Sequence, residues 1–161
     1  MEIGDVAAIQ TSRVGREKQR YDGQVRLIVC VVPLSESNQV LLISSSQRKD
    51  GWILPKGGWE DDETAEESVL RELQEEAGVE GIVMESLGEV NYASKNKSDC
   101  DKPSRLIGFT AQVTKEFKEW PESQRKRTWV DFEMARKLLE PRPELLAMLN
   151  RAVDRTGLNS T

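Results

Sequence analysis

Residues 57–79 read GGWEDDETAEESVLRELQEEAGV, and this stretch decides the fold. From Thr64 to Ala77 no Pro or Gly interrupts, acidic residues crowd the first turn, and Gly78 stands where a C-terminal cap belongs. The pattern predicts one amphipathic helix. At about 100° per residue, Glu72, Glu75 and Glu76 fall within roughly 100° of arc, while Val69, Leu70, Leu73 and Ala77 fill the adjacent arc. Three carboxylates therefore share a face beside a core-facing stripe. Carboxylates this close repel one another, so each has a raised pKa unless a cation favours the charged form. Mg²⁺, or Mn²⁺ in its place, meets that need: it takes oxygen ligands, keeps several waters and shares its shell with substrate phosphates. The competing reading is a solvated acidic face held by pairs such as Arg71 with Glu75 at i, i+4.

The spacing separates the two. Gly57 is followed after five residues by Glu63, after seven more by Arg71-Glu72-Leu73, then by Glu75-Glu76 and by Gly78-Val79. This resembles the Nudix box, with every specified position filled. The resemblance implies an α/β fold, an α/β/α sandwich around a mixed β-sheet. It also implies metal-dependent cleavage of a diphosphate linked to some other moiety.

Outward from the box, the continuous apolar run at 26–32 (RLIVCVV) predicts a strand buried on both faces, and 39–44 (QVLLIS) a second one after the turn-forming SESN. Trp52 to Leu54 is a short apolar segment leading through Pro55 and Lys56 to Gly57 and Gly58, glycines that let backbone approach a ligand closely. Residues 82–92 and 105–114 are strand candidates joined by the polar loop SKNKSDCDKP, a candidate substrate-contacting element. Residues 127–131 read as the last strand, and 132–139 and 143–153 as terminal helices. Residues 1–12 and 156–161 read as loose ends of a single domain spanning 1–161.

The net charge of −5 is unevenly distributed. Residues 57–80 hold ten acidic side chains and one basic one, which leaves the rest of the chain four positive charges in surplus. Basic clusters lie at Arg13 to Arg26, Arg48 with Lys49, Lys95 to Arg105 and Arg125 to Arg127. A metal-lined floor with cationic walls suits a substrate bearing many phosphates. The chain has no His, which excludes histidine zinc sites and Ser-His or Cys-His nucleophile pairs. Cys30 lies in an apolar run and Cys100 in a polar loop, as expected for two free thiols. No stretch is apolar and long enough to span a membrane, and the N-terminus lacks the apolar run of a signal peptide. The expected location is cytoplasmic, with the nucleus also open; a secreted chain stripped of its signal would look the same. Monomer is the default, and nucleic acid is not the expected partner.

The substrate is read outside the box. RYDGQVRL, VLLISSSQRKDGWILPKGGWE, QRKRTWVDFEMARKLL and PRPELL are similar to diphosphoinositol polyphosphate phosphohydrolases, particularly fungal ones, over about Arg13 to Arg151. That resemblance implies removal of a β-phosphate from inositol pyrophosphates, with side activity on diadenosine polyphosphates and polyphosphate. It makes Glu72 and Glu76 ligands of Mg²⁺ and Glu75 the base that activates water, or a further ligand. Arg71 and Glu63 would orient neighbouring groups, and Gly57 would offer its backbone to phosphate. Arg26, Ser45, Ser46, Arg105, Arg125 and Arg142 stand where the family places polyphosphate contacts, and Lys56 with Gly58 would lie beside the reacting diphosphate. Two positions depart from animal members: Gln47 follows the serines where they have Arg, and Lys56 follows Pro55 where they have Gly. Two alternatives stay open, a dinucleoside polyphosphate or RNA-cap hydrolase and a non-catalytic polyphosphate- or RNA-binding module. The first needs an aromatic face for a base, for which Trp59 is the candidate; Trp129 reads as core.

Overall fold

The computed structural model describes residues 1–9, 17–95 and 101–156. Arg13 and Arg16 of the first basic cluster, Cys100 with the centre of the polar loop, and residues 10–12 and 157–161 of the expected loose ends lie outside the described residues.

The elements in chain order are β1 Glu2–Val6, β2 Tyr21–Asp22, β3 Val25–Leu34, β4 Val40–Ser44, β5 Trp52–Ile53, β6 Lys56–Gly58, α1 Ala65–Glu72, β7 Val79–Lys95, β8 Asp101–Glu119, β9 Arg127–Val130, α2 Phe132–Leu139 and α3 Pro143–Thr156. Strand β3 is the axis of a single mixed sheet. It runs parallel to β8 over nine paired residues and antiparallel to β2, β4 and β6. Its residues from Leu27 to Leu34 are buried, as the unbroken apolar run requires of a strand covered on both faces.

Strand alternation shows what covers each face. Val29 pairs with Gly57, and a side chain at Gly57 would run into the Glu72 carboxylate, so α1 lies on that face. Cys30, the next residue, pairs with Gly108, where a side chain would meet Met148 of α3. Helices on opposite faces of a mixed sheet make the α/β/α sandwich. Helix α1 starts at a capping box: Thr64 Oγ1 accepts from the Glu67 N–H while the Glu67 carboxylate accepts from the Thr64 N–H.

Four expectations change. The acidic helix is not one α-helix to Ala77, because after Glu72 it widens into a π-helical turn, Leu73–Ala77, closed by Gly78 at φ 64°. The two strand candidates at 82–92 and 105–114 are parts of the much longer β7 and β8. Their hairpin absorbs most of the described part of the polar loop, since Ser94 pairs with Lys102 and Lys95 with Asp101. Residues 2–6 are not a loose end: they pair in parallel with Lys115–Glu119 of β8. Thr156 is likewise helical, its hydroxyl donating to the Val153 carbonyl at 3.0 Å. No helix of the described residues is long and apolar enough to cross a membrane.

Leu42 sits in β4 between β9 and the core and has no exposed surface. Leu42→Ala leaves a cavity and is expected to cost about 2–5 kcal/mol, read from the midpoint of urea unfolding.

Candidate active site

The site forms where α1 and its π turn cross β6. Its centre is Arg71, whose side chain is 9% exposed. The guanidinium donates from Nη2 to Glu63 Oε1 at 2.7 Å, and from Nη1 to Glu72 Oε1 and Glu75 Oε2, each at 2.8 Å. Nη2 also donates to the Gly58 carbonyl at 3.0 Å, which ties the helix to the glycine loop. The i, i+4 pair of Arg71 and Glu75 is therefore present, but as a buried strut rather than a solvated surface pair. Glu63, at the loop-to-helix junction, holds Arg71 from the other side.

The three box glutamates stay close enough that the charges of Glu76 and Glu75 both act on Glu72, but their hydrogen-bond partners differ. The π turn shifts Glu75 and Glu76 relative to Glu72, so Glu72 and Glu75 turn to Arg71 while Glu76 turns to β6. Glu76 Oε1 accepts from the Lys56 N–H at 2.9 Å, and its Oε2 lies 3.7 Å from Arg125 Nη2. Among the described residues no three carboxylates form a ready-made metal cage.

Electrostatics nevertheless favours a cation here. Burial pushes the Glu72 carboxyl well above its usual range, the Glu76 charge adds to this, and Arg71 offsets only part of it. Burial likewise lifts Glu76 to about 7, against the pull of Arg125. Two buried oxygen donors whose charges are incompletely balanced fit a hard divalent ion such as Mg²⁺ or Mn²⁺. Glu63 behaves oppositely: burial would raise it, but hydrogen bonds from Arg71 and Ser68 win and hold it low. The place against Gly57 is filled by protein, since a Cβ there would lie 2.1 Å from Glu72 Oε1; that glycine makes room for a carboxylate. A Cβ on Gly58 would lie 2.0 Å from Gln19 Oε1, the acceptor for Arg26 Nε at 2.9 Å.

The basic residues divide between faces. Arg26, Cys30 and Lys56 share the face under α3, by alternation along β3 and the pairing of Cys30 with Lys56. Arg142 joins them: burial lowers the pKa of Lys56, Glu76 opposes this, and the charges of Arg142 and Arg26 deepen the fall. Tyr92 belongs to the same group, its phenol raised to about 12 by burial and by the charge of Glu144. Arg142 Nε donates to Glu144 Oε1 at 2.7 Å. Burial pushes the Cys30 thiol, beneath them, up to about 12, which leaves it an inert thiol rather than a nucleophile.

Arg105 pairs with Leu27 and so lies on the opposite face from Arg26; Nη1 donates to Asp22 Oδ2 at 2.8 Å and Nε to Asn91 Oδ1 at 3.0 Å. Arg125 donates to the Glu122 carboxylate and the Ser44 carbonyl. The Ser45 hydroxyl accepts the Gln47 and Arg48 N–H groups, a local turn, while Ser46 is exposed. Trp59 does not offer a bare ring, since Arg20 lies 4.3 Å from its centroid and Nε1 donates to the Glu63 carbonyl. Trp129, expected as core, is half-buried and packs against it. Glu122, Glu144 and Tyr92 escaped the sequence reading because no spacing marks them.

The proton balance of Glu76 gives a direction for stability without metal. Between pH 4.5 and about 7 the folded chain keeps a proton that the unfolded chain has lost. Stability therefore falls as pH rises through that window, by up to about 1.4 kcal/mol per pH unit, with Glu72 acting in the same direction. Thermal melts of chelator-treated protein are expected to show that fall, and saturating Mg²⁺ to flatten it. Arg71→Met removes the cation from three buried carboxylates and is expected to cost about 3–5 kcal/mol, measured by denaturant unfolding at pH 7.

Residues 24–149 match the NUDIX domain. The chain is 40% identical over 151 residues to Nudix hydrolase 21, chloroplastic, of Arabidopsis thaliana, covering 87% of this chain and 75% of that protein. It is 35% identical over 130 residues to the mouse diphosphoinositol polyphosphate phosphohydrolase 3-alpha, covering 77% and 76%. Among solved structures, a NUDIX hydrolase from Nitrosomonas europaea superposes with a TM-score of 0.66 at 17% identity, covering 80% of this chain and 88% of that one. A C. elegans Ap4A hydrolase complex gives 0.60 at 19% identity, covering 81% and 97%. The box, its helix crossing a glycine loop, and these relatives agree: the chain belongs to the NUDIX family, hydrolases of phosphoanhydride substrates.

Proposed function

We propose that the chain hydrolyses inositol pyrophosphates, releasing the β-phosphate, with side activity on diadenosine polyphosphates and inorganic polyphosphate. The observation that carries this is the gathering of Arg26, Lys56 and Arg142 on one face of the sheet, where burial lowers the Lys56 amine, Glu76 opposes the fall, and the charges of Arg142 and Arg26 add to it. A compact polyanion relieves the repulsion among these cations, and guanidinium groups grip phosphate bidentately while an ammonium serves as a point charge. The similarity to the mouse diphosphoinositol polyphosphate phosphohydrolase supports the same substrate class.

Glu72 and Glu76 are the residues to hold a divalent ion, with Glu75 as a further ligand or the base. An ion held there would supply positive charge to the diphosphate and would lower the pKa of a water bound to it. Glu75 takes the proton of that water as its oxygen forms a bond to phosphorus, and the bond from phosphorus to the bridging oxygen breaks with its electron pair leaving on that oxygen. Arg71 holds Glu75 Oε2 and fixes the carboxylate's orientation. Lys56, Arg26 and Arg142 bind the phosphates, while Gly57 and Gly58 make room for the Glu72 carboxylate and for Gln19. Ser45, Ser46 and Arg125 complete the proposed contacts; Arg105, expected among them, stands on the opposite face of the sheet from Arg26 and binds Asp22.

A base-stacking hydrolase is less well supported, since Arg20 covers Trp59. A pure binding module gains nothing from buried carboxylates held above their usual pKa. Compartment does not follow from this fold, since relatives named for chloroplast and mitochondrion share the family; a cytoplasmic monomer is the working proposal.

Phosphate release from a 5-diphosphoinositol polyphosphate and from diadenosine hexaphosphate, at matched concentration with Mg²⁺, tests the reading. The inositide is expected to turn over faster, and Glu75→Gln to lower kcat by about 10²–10⁴-fold. Arg142→Ala is expected to raise KM for the inositide more than for the dinucleotide. Preference for the dinucleotide, or no turnover of either, overturns the assignment.

A further inference from the structure

The π turn that carries Glu75 and Glu76 creates a need. A π turn and a helix end leave carbonyls without partners in the regular helical ladder, and buried carbonyls take donors from elsewhere. One short segment, Trp120 to Arg127, supplies donors to all of them, the Gly78 carbonyl also accepting from the Phe117 N–H at 2.8 Å. The Glu122 N–H donates to the Glu75 carbonyl at 3.0 Å, and Trp120 Nε1 donates to the Glu76 carbonyl at 3.2 Å. Arg127 Nη1 donates to the carbonyls of Ala77 at 2.9 Å and Gly78 at 3.1 Å. Four consecutive carbonyls thus receive donors from one segment, and the cation at the last two also matches the negative end of the helix dipole.

The donors are themselves fixed. The Arg127 guanidinium lies 4.1 Å over the Trp120 ring, its Nε is 3.3 Å from Glu116 Oε1, and its Nη2 donates to the Phe117 carbonyl at 2.5 Å. The ring packs so closely on Gly78 that a Cβ there would come within 2.4 Å of it. The segment also reaches the Ser45–Ser46 loop: Arg125 Nη1 donates to the Ser44 carbonyl at 2.8 Å, and the Lys126 N–H to Ser44 Oγ at 2.9 Å. Arg127, counted in the sequence as part of a basic patch, thus spends its guanidinium on the helix end.

We infer that Trp120 and Arg127 are positioning residues that fix the direction in which the Glu75 and Glu76 carboxylates leave the helix, without touching substrate. The inference rests on those two glutamates serving the reaction. Groups that orient ligands and reacting side chains from one step away typically govern about 10–100-fold in metal affinity or activity.

Trp120→Phe keeps an aromatic ring against Gly78 while removing the indole N–H and part of the ring system, so it is read beside Arg127→Lys, which leaves Trp120 whole. Titrating the protein with Mn²⁺ alone, and following free Mn²⁺ by electron paramagnetic resonance, is expected to show about tenfold weaker binding than wild type. With Mg²⁺ and diadenosine hexaphosphate or the inositide, kcat is expected to fall about tenfold while KM changes less than about twofold. Arg127→Lys keeps the charge but not the fork, and moves both readouts the same way; it carries the test should Trp120→Phe fail to fold. Unchanged Mn²⁺ affinity with unchanged kcat overturns the inference, and so does a raised KM at constant kcat, which places Trp120 against substrate. Because Mn²⁺ is titrated without substrate, a wrong substrate class leaves this readout intact. Unchanged Mn²⁺ affinity in both Glu72→Gln and Glu76→Gln would instead strike the metal-holding role given to those glutamates.

Discussion

A guanidinium nearly sealed from water, shared among Glu63, Glu72 and Glu75, is the constraint on which the site depends. Taking these charges out of water costs several kcal/mol per ion, and only good geometry on every partner offsets it. Arg71 meets that condition by also donating to the Gly58 carbonyl, so the helix, the glycine loop and the loop-to-helix junction are locked together through one side chain. Gly57 follows from the same packing, because any side chain there would occupy the place of the Glu72 carboxylate. The network is not neutral, with three carboxylates on one cation and Glu76 close by, and that imbalance prepares the region for a divalent ion.

Strand β3 divides the labour between its faces. Residues in phase with Val29 look towards α1 and its carboxylates, and residues in phase with Cys30 look towards α3, Arg142 and Tyr92. Strand β6 joins the two, because the Lys56 N–H binds Glu76 while its side chain lies among the cations of the other face. A single residue thus stands between the buried carboxylates of one face and the cations of the other. That is why Lys56, rather than a residue of the box, bears most directly on how the two are coupled.

Much of this was legible in the sequence wherever the signal is local. The helix beginning at Thr64 and its stop at Gly78, the apolar run of β3 and the helix from Phe132 to Leu139 each declare themselves within a few residues, whereas Asp131, read as strand, is the N-cap of α2. Strand β1 did not, because its five residues are mostly exposed and its partner lies more than a hundred positions away in a parallel pairing. The length of the β7–β8 hairpin towards its turn was hidden by the polar residues there, which satisfy backbone pairing without an apolar pattern. The π turn was invisible for a different reason. Its residues are ordinary helix formers, and what holds the wider turn is a tryptophan and an arginine over forty positions further on.

The cationic residues show why a surplus of positive charge read from sequence overstates what a ligand meets. Arg142 is already bound to Glu144, Arg105 to Asp22, and Arg125 to Glu122. A phosphate that recruits any of them must compete with a carboxylate already in place, so a ligand with one or two scattered charges gains little from the exchange. A ligand whose phosphates are dense enough to engage several guanidinium groups at once displaces several carboxylates in one event, and each displaced acid returns to water. Internal ion pairing of this kind sets a threshold on charge density. Under the proposed function, pairing of this kind on the face of Arg26, Lys56 and Arg142 would favour ligands by how densely their phosphates are clustered rather than by the group that carries them.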